Sequence, residues 1–380
     1  MAKFKEKIAS INWRETFEKI ITSHLFLTLV AILAAFITGG IFLGIMGYNP
    51  FYVYSTLIKG AFSRPRFLAY SVVYATPLIF VGLSVAFSFK TGVFNIGAEG
   101  QFVMGAMAAC LVGIFVKAPS FITVPLCLIA AIIAGGLWGM AVGFLKTKWG
   151  INEVLSFIMF NWVAFYLSNY LVTIKAIHSD SAAEATKNIG ENASILLPEG
   201  IRDKLCPTSN YGIIFAIIAV IIIHIIINKT TLGFELKAVG FNSHAAEFAG
   251  INVKKSILTA MAISGLLAGL GGAVHVMGMS GRVSLYSAQE GFGFEGITVA
   301  LIGLSEPIGV FFSSLFYGAL KYSGNKLNLI NAPSEIIKVI TGTIVFFIAI
   351  SHIFRINFKS GKKKDKKKIK EVKIKEATNG

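Results

Sequence analysis

Apolar runs of nearly bilayer-spanning length recur along almost the whole of this 380-residue chain. Hydrophobic residues make up 55% of the sequence and charged residues only 14%, which is too little charge for the surface of a soluble protein of this size. An α-helix needs about 20 predominantly apolar residues to cross the hydrocarbon core of a membrane. The sequence therefore predicts an all-α fold, a polytopic bundle of membrane helices in one domain.

Run lengths predict ten spans, and the charges between them predict their orientation. Basic residues precede the first run, and a lysine-rich segment from Lys359 to Lys375 follows the last, so the positive-inside rule places both termini in the cytoplasm. We predict a cytoplasmic segment at 1–24, a transmembrane domain at 25–354 and a basic cytoplasmic tail at 355–380. The ten spans are predicted at 25–46, 69–89, 94–116, 120–145, 151–174, 211–228, 256–279, 291–304, 308–324 and 335–354.

Two long connections fit this topology. The segment 177–210 carries more acidic than basic residues and is predicted to lie outside, whereas the basic segment 229–255 is predicted to lie in the cytoplasm. Three basic residues, Lys59, Arg64 and Arg66, fall outside in this scheme, against the rule. The region 48–68 is therefore predicted to be a surface or re-entrant segment.

A polar, glycine-rich run at 92–102 separates two of the apolar runs. Ionisable groups at membrane depth are expensive and mark functional sites, so Glu99 is a candidate site residue. If the third helix starts near Phe94, Asn95 and Glu99 share one face and Gln101 lies roughly opposite. Either these side chains hydrogen-bond a polar solute, or Glu99 satisfies backbone donors at the start of a broken helix. We favour the second role for Glu99 and solute contact for Asn95.

Three further residues in predicted spans carry polar groups. Glu295 lies between two glycines at 293 and 296, so it is a second candidate for the solute pathway. Asn161 is a pathway candidate as well, but an interhelical hydrogen bond is the favoured interpretation. His275 is expected to pack between helices and bond a backbone carbonyl rather than a metal.

Signatures of catalysis are absent from the sequence. It contains no phosphate-binding Gly-x-x-x-x-Gly-Lys-Ser/Thr loop, no His-Glu-x-x-His and no Gly-x-Ser-x-Gly, and its cysteines have no metal-ligand spacing. We predict no enzyme activity, metal or cofactor on this chain. The lysine-rich tail lacks an aromatic stacking platform, so we expect it to contact membrane lipids and not nucleic acid.

The basic connection contains a short helix signature. Ser243 is predicted as its N-cap and Gly250 as its stop, with a two-turn body between them. Ala246 and its neighbouring alanines have small side chains, which are expected to give a flat face on which a partner docks. A plain connector between two spans is the alternative.

Three blocks of sequence resemble those of a known family. The run 82–87 leading into 92–101 resembles the signature of permease subunits of ATP-binding-cassette importers of the ribose and branched-chain amino-acid type. The segment 236–251 is similar to the coupling loop of that family, and 291–303 resembles its second conserved block. The form Phe-Asn-Ile-Gly-Ala-Glu-Gly-Gln is closest to the subfamily paired with purine-nucleoside-binding lipoproteins.

The resemblance implies the partners and the solute. A second permease subunit, identical or a paralogue, would complete a central path, an extracytoplasmic binding lipoprotein would deliver solute, and a cassette ATPase would bind ATP and Mg in the bacterial cytoplasm. The expected solute is a purine nucleoside such as guanosine, with a monosaccharide or a branched-chain amino acid as the alternative. An ion-coupled secondary transporter using Glu99, or a membrane scaffold, is less expected. The implied ATPase-coupling residues are Glu235, Lys237, Gly240, Asn242, Ser243, Ala246 and Gly250, with Lys237 standing where many relatives carry arginine.

Overall fold

The computed structural model describes residues 24–348 and residue 350. The predicted cytoplasmic segment before residue 24 and the basic tail lie outside the described residues. The chain divides into two compact units, of which one contains the described parts of 24–51 and 335–350 and the other contains residues 52–334. In chain order the helices are α1 His24–Ile45, α2 Pro50–Phe62, α3 Pro65–Phe89, α4 Ala98–Phe115, α5 Ser120–Trp149, α6 Glu153–Thr173, α7 Gly212–Lys229, α8 Thr231–Phe241, α9 Ser243–Phe248, α10 Val253–His275, α11 Phe292–Ile302, α12 Pro307–Gly324 and α13 Ile336–Ile348.

The predicted all-α membrane bundle is confirmed. Seven of the described helices are long and apolar enough to cross a membrane, namely α1, α3, α4, α5, α6, α7 and α10 with its π-helical continuation to Ser280. Within the described residues, extended pairing is limited to isolated β-bridges. The eighth predicted span, 291–304, corresponds to α11, which has only 11 residues. At a rise of 1.5 Å per residue it covers only about 16 Å, which is half of the hydrocarbon core.

Two positive-φ glycines explain why α11 is short. Gly281 (φ 68°) ends the preceding helical segment, and Gly291 (φ 88°) stands directly before α11. Such backbone is readily adopted by glycine and rarely by other residues. The intervening residues are not helical, so the chain enters α11 from a non-helical segment and not from a full-length span.

The region 48–68 contains the short helix α2 and the first residues of α3, and its placement as a surface or re-entrant segment stays a prediction. Its α2 has 13 residues, too few to cross a bilayer. Phe51 is 86% exposed and Ile58 63% exposed, while Val53 and Leu57 are buried. One side of α2 therefore packs on the protein and the other stays open.

The core of the unit 52–334 is built around α10, which packs against α3, α4 and α5. It packs closely on α5, where Gly265 and Gly269 meet Gly135 and Gly139 backbone to backbone. A Cβ atom at Gly265 would overlap the carbonyl oxygen of Gly135. Small residues of this kind let membrane helices pack closely, where no hydrophobic effect drives their association.

A sharp reversal joins α3 to α4. Helix α3 ends at Phe89, Gly92 adopts a φ of 74°, and α4 begins only at Ala98. The third helix therefore does not start near Phe94, and Asn95 lies in the connection before it. This connection, residues 90–97, is called the α3–α4 turn below.

The connection 174–211, which contains the predicted external loop 177–210, folds over the ends of neighbouring elements. The backbone N–H of Thr186 donates to Val283 O (2.9 Å), and that of Ile195 donates to Met277 O (3.1 Å). Asn210 Nδ2 donates to Gly278 O (3.0 Å). These bonds fix the connection to the segment that follows α10.

Candidate functional site

Glu99, in the first turn of α4, binds the start of the half-length helix α11. Its Oε1 accepts the backbone N–H of Gly291 (2.7 Å), and its Oε2 accepts that of Gly293 (2.5 Å). The first N–H groups of a helix have no partner within that helix, and its positive dipole end favours a carboxylate. The Glu99 side chain is 1% exposed, and a Cβ atom at Gly293 would overlap the Glu99 backbone. Both carboxylate oxygens thus accept hydrogen bonds from backbone N–H groups that are 192 or more positions away in sequence.

A fully buried polar network surrounds Asn95. Its Nδ2 donates to Ser264 Oγ (2.6 Å) and to Gln101 Oε1 (3.0 Å), and its Oδ1 accepts the backbone N–H of Gly97 (2.9 Å). Ser84 and Ser264 are themselves joined by their hydroxyl groups (2.9 Å). The network ties α3, α4 and α10 to the α3–α4 turn.

The position of Gln101 corrects one prediction. Gln101 bonds to Asn95 and does not lie opposite it, because α4 begins after Asn95 and the two residues do not share a helix. Asn95 and Gln101 are both 0% exposed, and the polar atoms of Asn95 bond within the chain. Solute contact by Asn95 stays a prediction.

Asn161 makes the interhelical bonds that were favoured for it. Its Oδ1 accepts the backbone N–H of Gly100 (2.9 Å), and its Nδ2 donates to Ile96 O (3.1 Å). The side chain is 3% exposed. Asn161 on α6 thus holds both the α3–α4 turn and the first turn of α4.

Glu295 has a cationic partner that sequence reasoning missed. Lys321 Nζ on α12 lies 2.6 Å from Glu295 Oε2 and 3.8 Å from the ring centre of Phe292. The two paired side chains are 17% and 23% exposed, so they are less enclosed than Glu99 or Asn95. The available signal was a single lysine within the predicted ninth span.

His275 packs between aromatic rings, and its Nδ1 atom does not form the predicted hydrogen bond to a backbone carbonyl. Its ring lies 5.0 Å from that of Phe292 and 5.8 Å from that of Phe102. Its buried Nδ1 has no hydrogen-bond partner among the described residues. The described residues hold no cluster of three or more metal-ligating side chains around it or elsewhere.

The predicted coupling segment forms two helices, α8 and α9. Asn242, and not Ser243, caps α9, because its extended backbone lets Oδ1 accept the N–H of Ala245 (3.0 Å). Gly250, with a φ of 84°, lies just after the end of α9, as predicted. Ala246, one of the predicted coupling residues, is only 4% exposed, whereas Ala245 and Ala249 are exposed, so the docking face of alanines stays a prediction.

The remaining predicted coupling residues of this segment differ in their surroundings. Lys237 Nζ donates to Asn228 Oδ1 (3.2 Å) at the end of α7, so it links α8 to the preceding helix. Glu235 and Ser243 are exposed. The side chains of Glu235 and Ser243 are therefore accessible to a partner.

Three exposed phenylalanines in α8 and α9 escaped sequence reasoning. Phe234 is 70% exposed, Phe241 90% and Phe248 94%. They recur every seven residues, which was the signal that the sequence offered. Exposed large apolar groups of this kind are typical of surfaces that contact a protein or a membrane.

The end of α8 touches the α3–α4 turn. A Cβ atom at Gly240 would overlap the carbonyl oxygen of Lys90, and one at Gly92 would lie 3.3 Å from the Gly240 Cα atom. Lys90 also pairs with Glu306 (2.6 Å), the residue before α12. The turn that carries Asn95 and leads to Glu99 is thus in direct backbone contact with α8.

Comparison with known proteins gives a consistent set of similarities. A family model described as "branched-chain amino acid transport system / permease component" matches residues 67–349. The chain is 40% identical over 348 residues to the guanosine ABC transporter permease protein NupP of Bacillus subtilis, covering 90% of this chain and 98% of NupP. It is 35% identical over 363 residues to the nucleoside ABC transporter permease protein NupB of Lactococcus lactis, covering 94% and 97%. It is 30% identical over 332 residues to the glucose ABC transporter permease protein TsgB13 of Haloferax volcanii, covering 86% and 87%.

Proposed function

Because the chain belongs to the family of permease components of branched-chain amino acid transport systems, we propose that it forms the membrane passage of an ABC importer for purine nucleosides. The observation that carries the solute class is the full-length similarity to NupP and NupB, whose names specify guanosine and nucleosides. The glucose permease TsgB13 is less similar, at 30% identity. A monosaccharide or a branched-chain amino acid is therefore the second candidate. The proposed location is the bacterial cytoplasmic membrane, with both termini inside.

A separate cassette ATPase supplies the energy in this proposal and binds ATP and Mg itself. Its proposed docking surface is the α8–α9 segment with Phe234, Phe241 and Phe248, together with the exposed Glu235 and Ser243. Burying three such rings provides the apolar contact area on which stable association between proteins depends.

The contacts of the α3–α4 turn support a route from docking to the passage. Movement of α8 by the ATPase displaces the turn through the Gly240–Lys90 contact. The turn is bonded to α10 through Asn95, and α4 is bonded to α11 through Glu99. For alternating access, the two states of the ATPase must bind α8 and α9 with different affinity, because only differential binding shifts a conformational equilibrium.

On the opposite face we propose a contact for the binding lipoprotein. A polar cavity of about 400 Å³ is lined by Arg66 and by four residues of the 174–211 connection. These four are Glu199, Arg202, Asp203 and Pro207. Mixed charges in an open cavity suit a polar partner surface. This role would also account for Arg66, a basic residue that departs from the positive-inside rule. A second permease, identical or a paralogue, completes the passage.

Uptake by cells tests this function. Labelled guanosine, glucose and leucine are offered to cells that express the cassette ATPase and the binding lipoprotein, with and without this chain. We expect guanosine uptake that requires the chain and persists when a protonophore collapses the membrane potential. Uptake of glucose or leucine alone contradicts the solute class. Uptake that needs the membrane potential but not the ATPase indicates an ion-coupled carrier instead.

A further inference from the structure

The Glu295–Lys321 pair lies deep in the membrane domain. Glu295 lies eight positions before Gly303, which directly follows α11, and Lys321 lies fourteen positions after Pro307 along α12. At 1.5 Å per residue these distances are about 12 Å and about 21 Å from the connection between the two helices. With a hydrocarbon core of about 30 Å, the pair lies well away from the interface at that connection.

The pair is also the open part of the polar site. The side chains of Glu295 and Lys321 are 17% and 23% exposed, whereas Asn95, Glu99 and Gln101 are between 0% and 1% exposed. Phe294, beside Glu295 in sequence, is 44% exposed. Charged groups at membrane depth face a water-filled cavity or protein and not lipid. The exposed side of this pair is therefore a face that lipid does not cover.

We infer that the Glu295–Lys321 pair, with the ring of Phe294, forms the solute-contacting wall of the passage. The pair offers both hydrogen-bonding functions that a nucleoside needs, since a carboxylate accepts from ribose hydroxyls and an ammonium donates to ring nitrogens or carbonyls. An exposed phenylalanine ring presents an apolar face to a purine. The choice of a nucleoside rests on the proposed function, while the position of the wall rests on the depth and exposure of the pair.

The charges of the pair also suit rapid release. Glu295 and Lys321 pair with each other, so their two charges offset one another. The solute competes with an existing 2.6 Å ion pair for each contact, which keeps its binding weak. The buried residues then have a different role: Glu99 fixes the start of α11, one turn before Glu295, and so positions the wall without touching the solute.

Charge variants separate a solute contact from a structural ion pair. In Glu295→Gln and Lys321→Met we expect the rate of uptake at low solute concentration to fall about tenfold, the loss of one hydrogen bond to a charged group. The exchanged pair, Glu295→Lys with Lys321→Glu, should recover assembly with the ATPase but not uptake, because donor and acceptor have changed places. Full recovery of uptake by the exchanged pair overturns the inference and leaves the pair as a tie between α11 and α12.

The chain offers a matched control in Lys146 and Glu153. This pair joins the end of α5 to the start of α6 at 2.5 Å, and its side chains are 26% and 19% exposed. Exchanging these two residues should leave uptake within about twofold of the unmodified chain, as for ordinary partly exposed ion pairs. An equal loss of uptake in the control exchange removes the special role of Glu295 and Lys321.

Labelling tests the same wall without changing the pair. The three native cysteines are buried and are first replaced by alanine, and Phe294→Cys or Thr298→Cys, one turn further along α11, is then introduced. A charged, membrane-impermeant thiol reagent should label either cysteine, and saturating guanosine should slow the labelling. Ile221→Cys on α7, 53% exposed at a position expected to face lipid, should stay unlabelled.

Each outcome of the labelling decides the inference. If neither α11 cysteine is labelled in complexes that transport, this face lies against the second permease, and the inference is overturned. Labelling that solute does not slow also overturns it. If the unmodified chain transports glucose or leucine and not guanosine, the proposed solute class is wrong. In that case, slower labelling of the α11 cysteines in the presence of the transported solute still tests whether the Glu295–Lys321 pair lines the passage.

Discussion

Removing the carboxylate of Glu99 should destabilise the fold before it affects solute recognition. The side chain accepts two backbone hydrogen bonds, from Gly291 and Gly293, in a site that is 1% exposed. In Glu99→Ala both N–H donors lose their partner. Each buried donor left unsatisfied costs about 1–3 kcal/mol, so the free energy of unfolding should fall by about 2–6 kcal/mol.

Glu99→Gln provides an intermediate step in the same series. The amide keeps one acceptor oxygen but turns an NH₂ group towards the second N–H donor. One bond is retained and one is lost, so the expected loss is about 1–3 kcal/mol, half of that in alanine. The exposed carboxylate of Asp180, in the 174–211 connection, is the control, and Asp180→Ala should change little.

Thermal unfolding in lipid nanodiscs and uptake in cells measure the two effects separately. The predicted order of melting temperature is the unmodified chain, then Glu99→Gln, then Glu99→Ala, and uptake per folded complex should be retained by Glu99→Gln. If Glu99→Ala melts like the unmodified chain yet abolishes uptake, the carboxylate acts on the solute. The reasoning from its backbone partners is then refuted.

Three other substitutions test the remaining contacts. Gly240→Val places side-chain atoms against the Lys90 carbonyl, so we expect the complex to hydrolyse ATP while uptake falls; unchanged uptake per ATP contradicts a mechanical role for this contact. Asn95→Ala should cost about 1–3 kcal/mol of stability by leaving network partners unsatisfied, and a change in half-saturation without a change in melting temperature would instead restore Asn95 as a solute contact. Phe248→Ser should reduce co-purification of the ATPase, and full retention of the ATPase contradicts the proposed docking surface.

The bounds of the long helices follow from the sequence because hydrocarbon imposes a minimum length on every apolar run. The predicted spans at 120–145, 151–174 and 211–228 agree closely with Ser120–Trp149, Glu153–Thr173 and Gly212–Lys229. The break near residue 92 was predictable for a related reason, since glycines and an ionisable residue do not continue an apolar span. The polar run marked the place where the helix reverses.

The partners within the site did not follow from the sequence. Glu99 bonds to residues 192 and 194 positions away, and Lys321 meets Glu295 from another helix, so no local spacing connects them. The orientation of Gln101 was misjudged because it depended on the first residue of α4, and helix ends are the least determined part of a helix pattern.

Reconstitution tests the central claim most directly. The chain is placed in proteoliposomes with the second permease and the cassette ATPase, whose nucleotide sites face the medium, and the binding lipoprotein and labelled guanosine are enclosed in the lumen. The account predicts guanosine export into the medium that begins on addition of Mg-ATP, stops with a non-hydrolysable analogue, and is not matched by enclosed glucose or leucine. Guanosine release that is independent of ATP, or ATP-driven movement of glucose or leucine alone, contradicts it.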